Sequence, residues 1–294
     1  MPASGATLAT STNHQVVTVT GSNAMTGQAN LIFDGTALAV TGTGISSIER
    51  QTSGTNSISA PVHIRNKTSN NAADGFGPVI NFQMTDTGVT DQQMGYIGFE
   101  RHGADNSARF LVNVMNAGSL VEGLLMDNDG AVTKPLQPCF YSALQSHCTN
   151  VTGDGTSYTM KSSSTPSASW GTSGMGGRQF VVGSCFSGGT FTAPVSGYYY
   201  IGAHLGILQV SGSHDYCRLL MITSNGNFPL TTFNASGVFT GTGQDLVMGG
   251  TVLAYLDEND TAYLYVTVYG GSKVIDIQGH DDNNPTRFFA MLMA

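Results

Sequence analysis

His204 is the residue of this chain whose type most readily suggests catalysis, and it lies within the strand-like run 188–207, GGTFTAPVSGYYYIGAHLGI. A histidine base needs a nucleophilic Ser or Cys and an orienting acid beside it. The sequence contains no Gly-x-Ser-x-Gly elbow, and its acidic residues lie mostly in turns rather than in the pair that glycoside hydrolysis requires. The pattern favours a structural His204, hydrogen-bonded within a strand, over a catalytic or metal-binding one. It predicts that the protein is not an enzyme.

Cysteine chemistry is the second possibility that the residue types raise. The four cysteines, all in the C-terminal half, are Cys139, Cys148, Cys185 and Cys217. No Cys-x-x-Cys pair is present, and no histidine stands at the spacing of a zinc finger. The spacing favours small buried side chains in a reducing compartment over a metal site or a disulfide.

Composition and charge exclude several classes of protein. Charged residues make up 10% of the chain, against about 25% in an average soluble domain, and the formal net charge is −8 without any basic run. Nucleic-acid binding, which needs a cationic surface, is therefore disfavoured. Neither a signal peptide nor an apolar run of membrane-spanning length is visible. We expect a soluble protein that is made in the cytosol and does not insert into membranes.

Strand-like segments recur along the whole chain and predict an all-β protein of three parts. Residues 1–55 are rich in Ser, Thr and Gly and are predicted to form a thin β-rich N-terminal anchor or stalk. Residues 56–134 are predicted to form a small antiparallel β shaft domain. A Pro-containing boundary, KPLQPCF, precedes the third part, residues 139–294. Since 20 of the 26 aromatic residues lie from Cys139 onwards, the main hydrophobic core is expected there.

Local patterns within the first two parts predict particular elements. In NLIFDGTALAV, Asp34 and Gly35 separate two strand-like arms and predict a hairpin. The second part contains four predicted strands, at PVINFQM, MGYIGFER, ARFLVNVMN and VEGLLMD. The run DNDG at 127–130 resembles the start of a calcium loop, but the later ligands are missing, so a plain turn is predicted.

Alternation in the aromatic part separates a core face from an outer face. Residues 199, 201, 203, 205 and 207 are apolar and share one side of a predicted strand, as do residues 262, 264, 266 and 268 of a second strand. A monomer would leave the tyrosine-rich opposite sides exposed, which is typical of an association surface. The residues predicted to form an oligomer interface are Tyr198, Tyr200, His204, Tyr263, Tyr265 and Tyr269.

The same run resembles the signature of the globular heads of the first complement component, adiponectin and the cerebellins. Its pattern, Gly-x-Phe-Thr-(Ala)-Pro, a Gly turn and Gly-x-Tyr-Tyr-Phe-x-x-His, is matched without a gap, except that Ile201 replaces Phe. The segments PCFYSAL, YCRLLMITSNG, MGGTVLAYLDENDTAYLYV and DDNNPTRFFAMLM follow in family order. The resemblance implies a ten-stranded jelly-roll sandwich over residues 139–294, a fold shared with tumour necrosis factor, that forms a homotrimer.

The resemblance also directs attention to the loop GHDDNNP, residues 279–285. In related heads an acidic loop lies near the apex of the trimer and in some of them helps to hold calcium. The corresponding residues here are Asp281, Asp282, Asn283 and Asn284. Their oxygens would suit a calcium ion or the hydroxyls of a sugar receptor, and a solvated turn is an equally good interpretation. No other cofactor is predicted.

The N-terminal half resembles the shafts of bacteriophage tail fibres and tailspikes, through turn-rich, low-charge segments such as NLIFDGTALAVTGTG. Together the two resemblances imply a homotrimeric virion fibre or spike made in the host bacterial cytoplasm. Its N-terminus would bind other virion proteins, and its knob would bind a host-surface glycan or protein. The alternatives are a head-decoration fibre without a receptor and, more weakly, a polysaccharide depolymerase.

Overall fold

A computed structural model gives the fold, and its described residues contain strands, turns and loops but no helix. The described residues are 15–21, 24–33, 38–40, 64–88, 90–171, 179–241, 243–279 and 285–293. The prediction of an all-β protein is therefore confirmed over this part of the chain. The chain divides into two compact units, residues 1–67 and residues 68–294.

The first unit contains a three-stranded antiparallel sheet. Its strands, in the order β1-β2-β3, are β1 (Gln15–Gly21), β2 (Ala24–Phe33) and β3 (Leu38–Val40). Phe33 is paired with Leu38, so the two arms predicted on either side of Asp34 and Gly35 form a hairpin. The turn itself, residues 34–37, lies outside the described residues.

A five-stranded antiparallel meander opens the described part of the second unit. The strands, in sheet order, are β4 (Val79–Met84), β5 (Gln92–Arg101), β6 (Ala108–Asn116), β7 (Ser119–Met126) and β8 (Val132–Thr133). The four strands predicted here are confirmed, and β8 is an addition. The run 127–130 is a turn, in which the amide of Gly130 donates to the carbonyl of Asp127.

One face of this five-stranded sheet is apolar along its middle, with Arg101, Asn116 and Ser119 at the strand ends. Residues directly opposite one another on antiparallel strands point to the same side, and one such row joins Ile80, Ile97, Val112 and Leu124. The apolar shaft face, as we call it, comprises Ile80, Phe82, Ile97, Phe99, Phe110, Val112, Val114, Val121, Leu124, Met126 and Val132. Phe82 and Phe99 are each 55% exposed. Within the five strands Leu111, on the opposite face, is the sole large apolar side chain that is buried.

Residues from Cys139 onwards form two antiparallel sheets. The seven-stranded sheet contains β9 (Cys139–Ala143), β10 (Cys148–Thr152), β12 (Gln179–Val182), β15 (Gly197–Val210), β18 (Gln244–Leu256), β20 (Ile275–Ile277) and β21 (Arg287–Leu292). The six-stranded sheet contains β11 (Ser157–Thr159), β13 (Phe186–Ser187), β14 (Thr190–Thr192), β16 (Tyr216–Thr223), β17 (Gly226–Asn234) and β19 (Thr261–Val268). Strand β15 is central to the first sheet and pairs with β18, β20 and β21, whereas β19 is paired with β11, β14 and β16 in the second.

The two sheets enclose one hydrophobic core and form a jelly-roll-like sandwich. The predicted core residues of β15 and β19 are all fully buried: Tyr199, Ile201, Ala203, Leu205, Ile207, Ala262, Leu264, Val266 and Val268. At one end Phe140 stacks on Phe186, with ring centroids 4.2 Å apart, and meets Phe288 edge-on at 4.9 Å. The predicted alternation is thus confirmed. From Cys139 onwards, the described residues form thirteen strands rather than ten, since two- and three-residue segments such as β13 and β20 pair separately.

The knob, residues 139–294, is expected to fold without the rest of the chain. Every described member of its core cluster lies at or after Phe140, and a fragment from Leu136 keeps the hydrogen bond from the amide of Leu292 to the carbonyl of Pro138. Its thermal unfolding, followed by circular dichroism, should be cooperative and should match the knob transition of the full chain.

A matched pair of Leu→Ala variants in this fragment tests the core. Leu264→Ala removes a fully buried side chain and should lower the free energy of unfolding by about 2–5 kcal/mol. Leu136→Ala, at a side chain 53% exposed, should change it by less than about 0.5 kcal/mol. A fragment without a cooperative transition, or equal effects of the two variants, would contradict an autonomous core.

Candidate association face and binding groove

Tyr198, Tyr200 and His204 project from β15 on the side of the seven-stranded sheet that is turned away from the core. Tyr198 lies opposite Tyr255 of β18, with ring centroids 5.3 Å apart. Neighbouring strands extend this surface, which we call the association face: Tyr141, Phe180, Tyr198, Tyr200, His204, Leu253, Tyr255, Arg287, Phe289 and Met291. Exposed aromatic and aliphatic groups of this extent are typical of protein–protein contact.

Gly202 allows the aromatic rings of this face to approach the backbone of β15. It lies opposite Thr251 on one side and Phe289 on the other. A Cβ atom at Gly202 would lie 2.7 Å from Cγ2 of Thr251 and would collide with the ring of Phe289. Because that space is free, the Phe289 ring lies across the strand, 6.1 Å from the Tyr200 ring between centroids.

His204 is an exposed member of the association face rather than the hydrogen-bonded residue that the sequence predicted. It is paired with Gly249 on β18 and with Arg287 on β21. Its ring makes no hydrogen bond to any other described residue, and Gly249 offers it no side chain. With no hydroxyl or thiol hydrogen-bonded to it, the ring has no nucleophile to activate.

Tyr263, Tyr265 and Tyr269 lie on a different surface. They project from the outer side of the six-stranded sheet, while Ala262, Leu264, Val266 and Val268 of β19 point into the core. Since both sheets turn their inner sides to one core, their outer sides face in opposite directions. The structure therefore places the two predicted groups of tyrosines on opposite surfaces of one chain, and their part in an oligomer interface stays a prediction.

The second surface contains a groove of about 390 Å³, here called the binding groove. Its lining residues are Ser157, Arg218, Leu220, Ile222, Asn227, Tyr263, Tyr265, Thr267 and Tyr269. Tyr216 stacks on Tyr269 with ring centroids 4.4 Å apart. At the other end, Nζ of Lys161 lies 3.5 Å from the centroid of the Tyr263 ring, a cation–π contact.

A buried histidine that the sequence analysis did not single out lies in the turn after β15. His214 is 1% exposed, and its Nδ1 accepts a hydrogen bond from the amide of Ser211 at 3.1 Å. The Ser211 hydroxyl lies 3.1 Å from the same nitrogen. Both side chains are buried, so no substrate can reach this pair, and it serves to close the turn. The separation of three residues in SGSH is the local signal for such a turn.

The four cysteines are free thiols in the structure. Cys148, Cys185 and Cys217 are buried, and Cys139 is half-buried. Burial raises the pKa of the Cys185 and Cys217 thiols to about 11 in each case. No group of three or more His, Cys, Asp or Glu side chains that could hold a metal occurs among the described residues.

The predicted acidic loop lies outside the described residues, which omit Asp281, Asp282, Asn283 and Asn284. Calcium binding and receptor binding by this loop stay predictions. In the described part of the chain there is no helix of the length and apolarity that membrane crossing would need.

Comparison with solved structures finds chains that are similar to part of this one. The globular domain of the zebrafish complement 1qA protein is 17% identical, with a TM-score of 0.34, over 54% of this chain and 98% of that one. Two crystal structures of murine APRIL, at pH 8.0 and pH 8.5, are each 7% identical, with TM-scores of 0.36 and 0.35, over 53% of this chain and 99% of theirs. No family model matches the chain, and no curated protein matches it. Because these TM-scores are low, the evidence for the fold is the strand pairing within this chain.

Burial of Cys217 predicts that the knob loses stability in alkali. The pKa of the folded thiol, about 11, exceeds the ordinary value of 9.0, so the stabilisation is complete below pH 9 and is lost as the pH rises towards 11. Urea unfolding between pH 8 and pH 11 should show this decline, and Cys217→Ala should make it shallower. Cys139→Ala is the comparison: burial also raises the pKa of this half-buried thiol, and the variant should change the profile less than Cys217→Ala does. Identical pH profiles for the wild type and Cys217→Ala would contradict this account.

Proposed function

We propose that this chain is a homotrimeric virion fibre or spike protein whose C-terminal knob attaches the particle to the host-cell surface. The observation that carries the proposal is the apolar shaft face, which a single chain leaves uncovered. A sheet of five strands followed by a knob, each with an exposed apolar surface, is the arrangement expected of a rod built from several parallel copies.

The composition of the shaft face favours another copy of the same chain as its cover. The face holds aliphatic, aromatic and thioether side chains, and its charged residue, Arg101 at the end of β5, is ion-paired with Asp74 and Asp105. Arg109 and Glu100 lie on the other side, where Nη2 of Arg109 is 2.6 Å from Oε1 of Glu100. Apolar sheets stack at about 10 Å with interdigitated side chains. Three copies about one axis would each contribute one such layer to a closed core.

The association face of the knob supports the same assembly. Leu253 is 58% exposed, Tyr198 52% and Tyr255 49%. The complement-type heads that residues 139–294 resemble form trimers, and trimeric packing would cover this face. The seven-stranded sheet would then be turned towards the axis, and the six-stranded sheet would face outwards.

The remaining parts of the proposal concern the N-terminus and the reaction class. Residues 1–55 would dock on other virion proteins, after synthesis in the host bacterial cytoplasm. The described residues offer no arrangement of nucleophile, base and acid, and this favours a binding protein over a polysaccharide depolymerase. A head-decoration fibre without a receptor is the second candidate, because the shaft face would serve it equally well.

Oligomeric state provides the first test. The wild type should sediment as a trimer of the 30.7 kDa chain. The double variant Ile80→Asp, Leu253→Asp should dissociate, because each change would bury an unpaired carboxylate. The control is Val79→Asp, Val238→Asp: Val79 neighbours Ile80 on β4 with similar exposure, 43% against 47%, but points to the other face of the sheet. A monomeric wild type at micromolar concentration, or a control that dissociates equally, would refute the assignment.

Localisation provides the second test. Gold-labelled antibody against the knob should decorate intact particles at the tail, and the purified chain should compete with particles for adsorption to host cells. Label at the head vertices without competition would favour the decoration fibre. Particles without label would refute a virion role, and release of sugars from host envelope would establish the depolymerase instead.

A further inference from the structure

We propose that the binding groove on the six-stranded sheet is a binding site for an acidic oligosaccharide, a short glycan bearing carboxylated sugars. This inference rests on the proposed function, in that it names the class of receptor that the knob would bind. It assigns that role to residues other than the acidic loop. It also gives Tyr263, Tyr265 and Tyr269 a function different from association.

The tyrosines supply stacking surfaces along the groove. Tyr263 and Tyr265 are two residues apart on one face of β19 and therefore follow one another at about 6.6–6.8 Å. Both are half-buried, so part of each side chain is accessible, although Nζ of Lys161 covers one face of the Tyr263 ring. An aromatic ring with a phenolic hydroxyl offers an apolar surface to the C–H side of a pyranose and a hydrogen bond to its hydroxyls.

Polar groups between the rings suit a ligand rich in hydroxyls. Ser157 of β11 lies opposite Thr267 of β19, and their hydroxyl oxygens are 3.0 Å apart. Thr267 is only 3% exposed, so the exposed Ser157 hydroxyl is the group of this pair that can form a further hydrogen bond to a ligand. Asn227 of β17 is paired with Ile222 of β16 and adds an exposed side-chain amide to the groove. A few polar groups of this kind, fixed on strands, are what orients a ligand in a shallow site.

Charge distinguishes an acidic sugar from a neutral one. Arg218 is the one charged residue that lines the groove, and it forms no ion pair with any described residue. It projects from β16 in the middle of the surface, where it lies opposite Thr267 of β19. A guanidinium group presents paired N–H donors that match a carboxylate. Lys161 adds a second positive charge at the Tyr263 end, although the whole chain carries a net charge of −8.

The lining of the groove contains no carboxylate. Asp215 precedes Tyr216 and lies against Gly270, beyond the Tyr269 end of the groove. The association face, by contrast, offers His204 and the half-buried Arg287 among large apolar side chains. The binding groove is therefore the surface of the knob that best fits a hydrophilic anion, whereas the association face fits another protein surface.

Titration of the full-length chain with defined oligosaccharides tests the proposal. The probes are a panel of galacturonate, glucuronate-containing and sialylated oligosaccharides, each with a neutral counterpart of equal length, followed by saturation-transfer NMR and calorimetry. At least one acidic probe should bind with a dissociation constant below 1 mM, and its neutral counterpart should bind at least tenfold more weakly. Arg218→Gln should weaken the acidic probe at least tenfold and leave the neutral one unchanged. Tyr265→Ala should weaken both.

Two controls separate the groove from general effects. Arg65→Gln removes an exposed charge elsewhere in the chain, and Tyr255→Ala removes a ring that is 49% exposed on the opposite sheet. Neither should change the affinity. Melting temperature and sedimentation of all four variants identify any that misfold or change oligomeric state.

Three results would overturn the inference: no acidic probe binding below 1 mM, an Arg218→Gln variant that binds as the wild type does, or dissociation of assemblies by Arg218→Gln and Tyr265→Ala. The last result would make the groove an interface between copies. Failure here leaves the proposed function standing if the chain is trimeric and found on particles. A chain that binds acidic oligosaccharides through Arg218 but is absent from particles would retain the site and lose the virion role.

Discussion

The two-residue period of the β-strand is the constraint on which the rest of this structure depends. Strands β15 and β19 each direct alternate side chains into one core, so the remaining side chains point outwards. Filling the core with Tyr199, Leu205 and Leu264 therefore determines where Tyr200 and Tyr265 must lie. A shift of either strand by one residue would exchange core and surface along its whole length. Core packing thus fixes the position of both outer surfaces.

Short-range patterns were sufficient to predict much of the architecture. Alternation identified the inward residues of β15 and β19, and turn residues bounded β4 to β7. Both features depend on neighbours in the sequence, so a single chain displays them. The buried thiols followed in the same way, from the absence of any metal-ligand spacing near Cys148 or Cys217.

Long-range pairing explains what the sequence did not reveal. Nothing local indicates that Tyr255 lies beside Tyr198, or that Phe289 crosses β15 at Gly202, because these pairs join residues far apart in the chain. The separation of Tyr200 from Tyr265 likewise depends on which sheet each strand joins. Arg218 was overlooked because a lone arginine in a strand has no motif, and only its place between tyrosines on the folded sheet gives it meaning.

The uncovered shaft face has a consequence for the order in which the molecule forms. Its five strands bury a single large apolar side chain, Leu111, within one chain, so in the proposed trimer their stability would come from contact between chains. The knob has a hydrophobic core of its own and would form while chains are still separate. Joined knobs would then hold the shaft segments at a high effective concentration. The C-terminal domain would then act as a nucleus, and assembly of the rod would proceed from it towards the N-terminus. Chains truncated before the knob would aggregate because their shaft segments would not be aligned with one another.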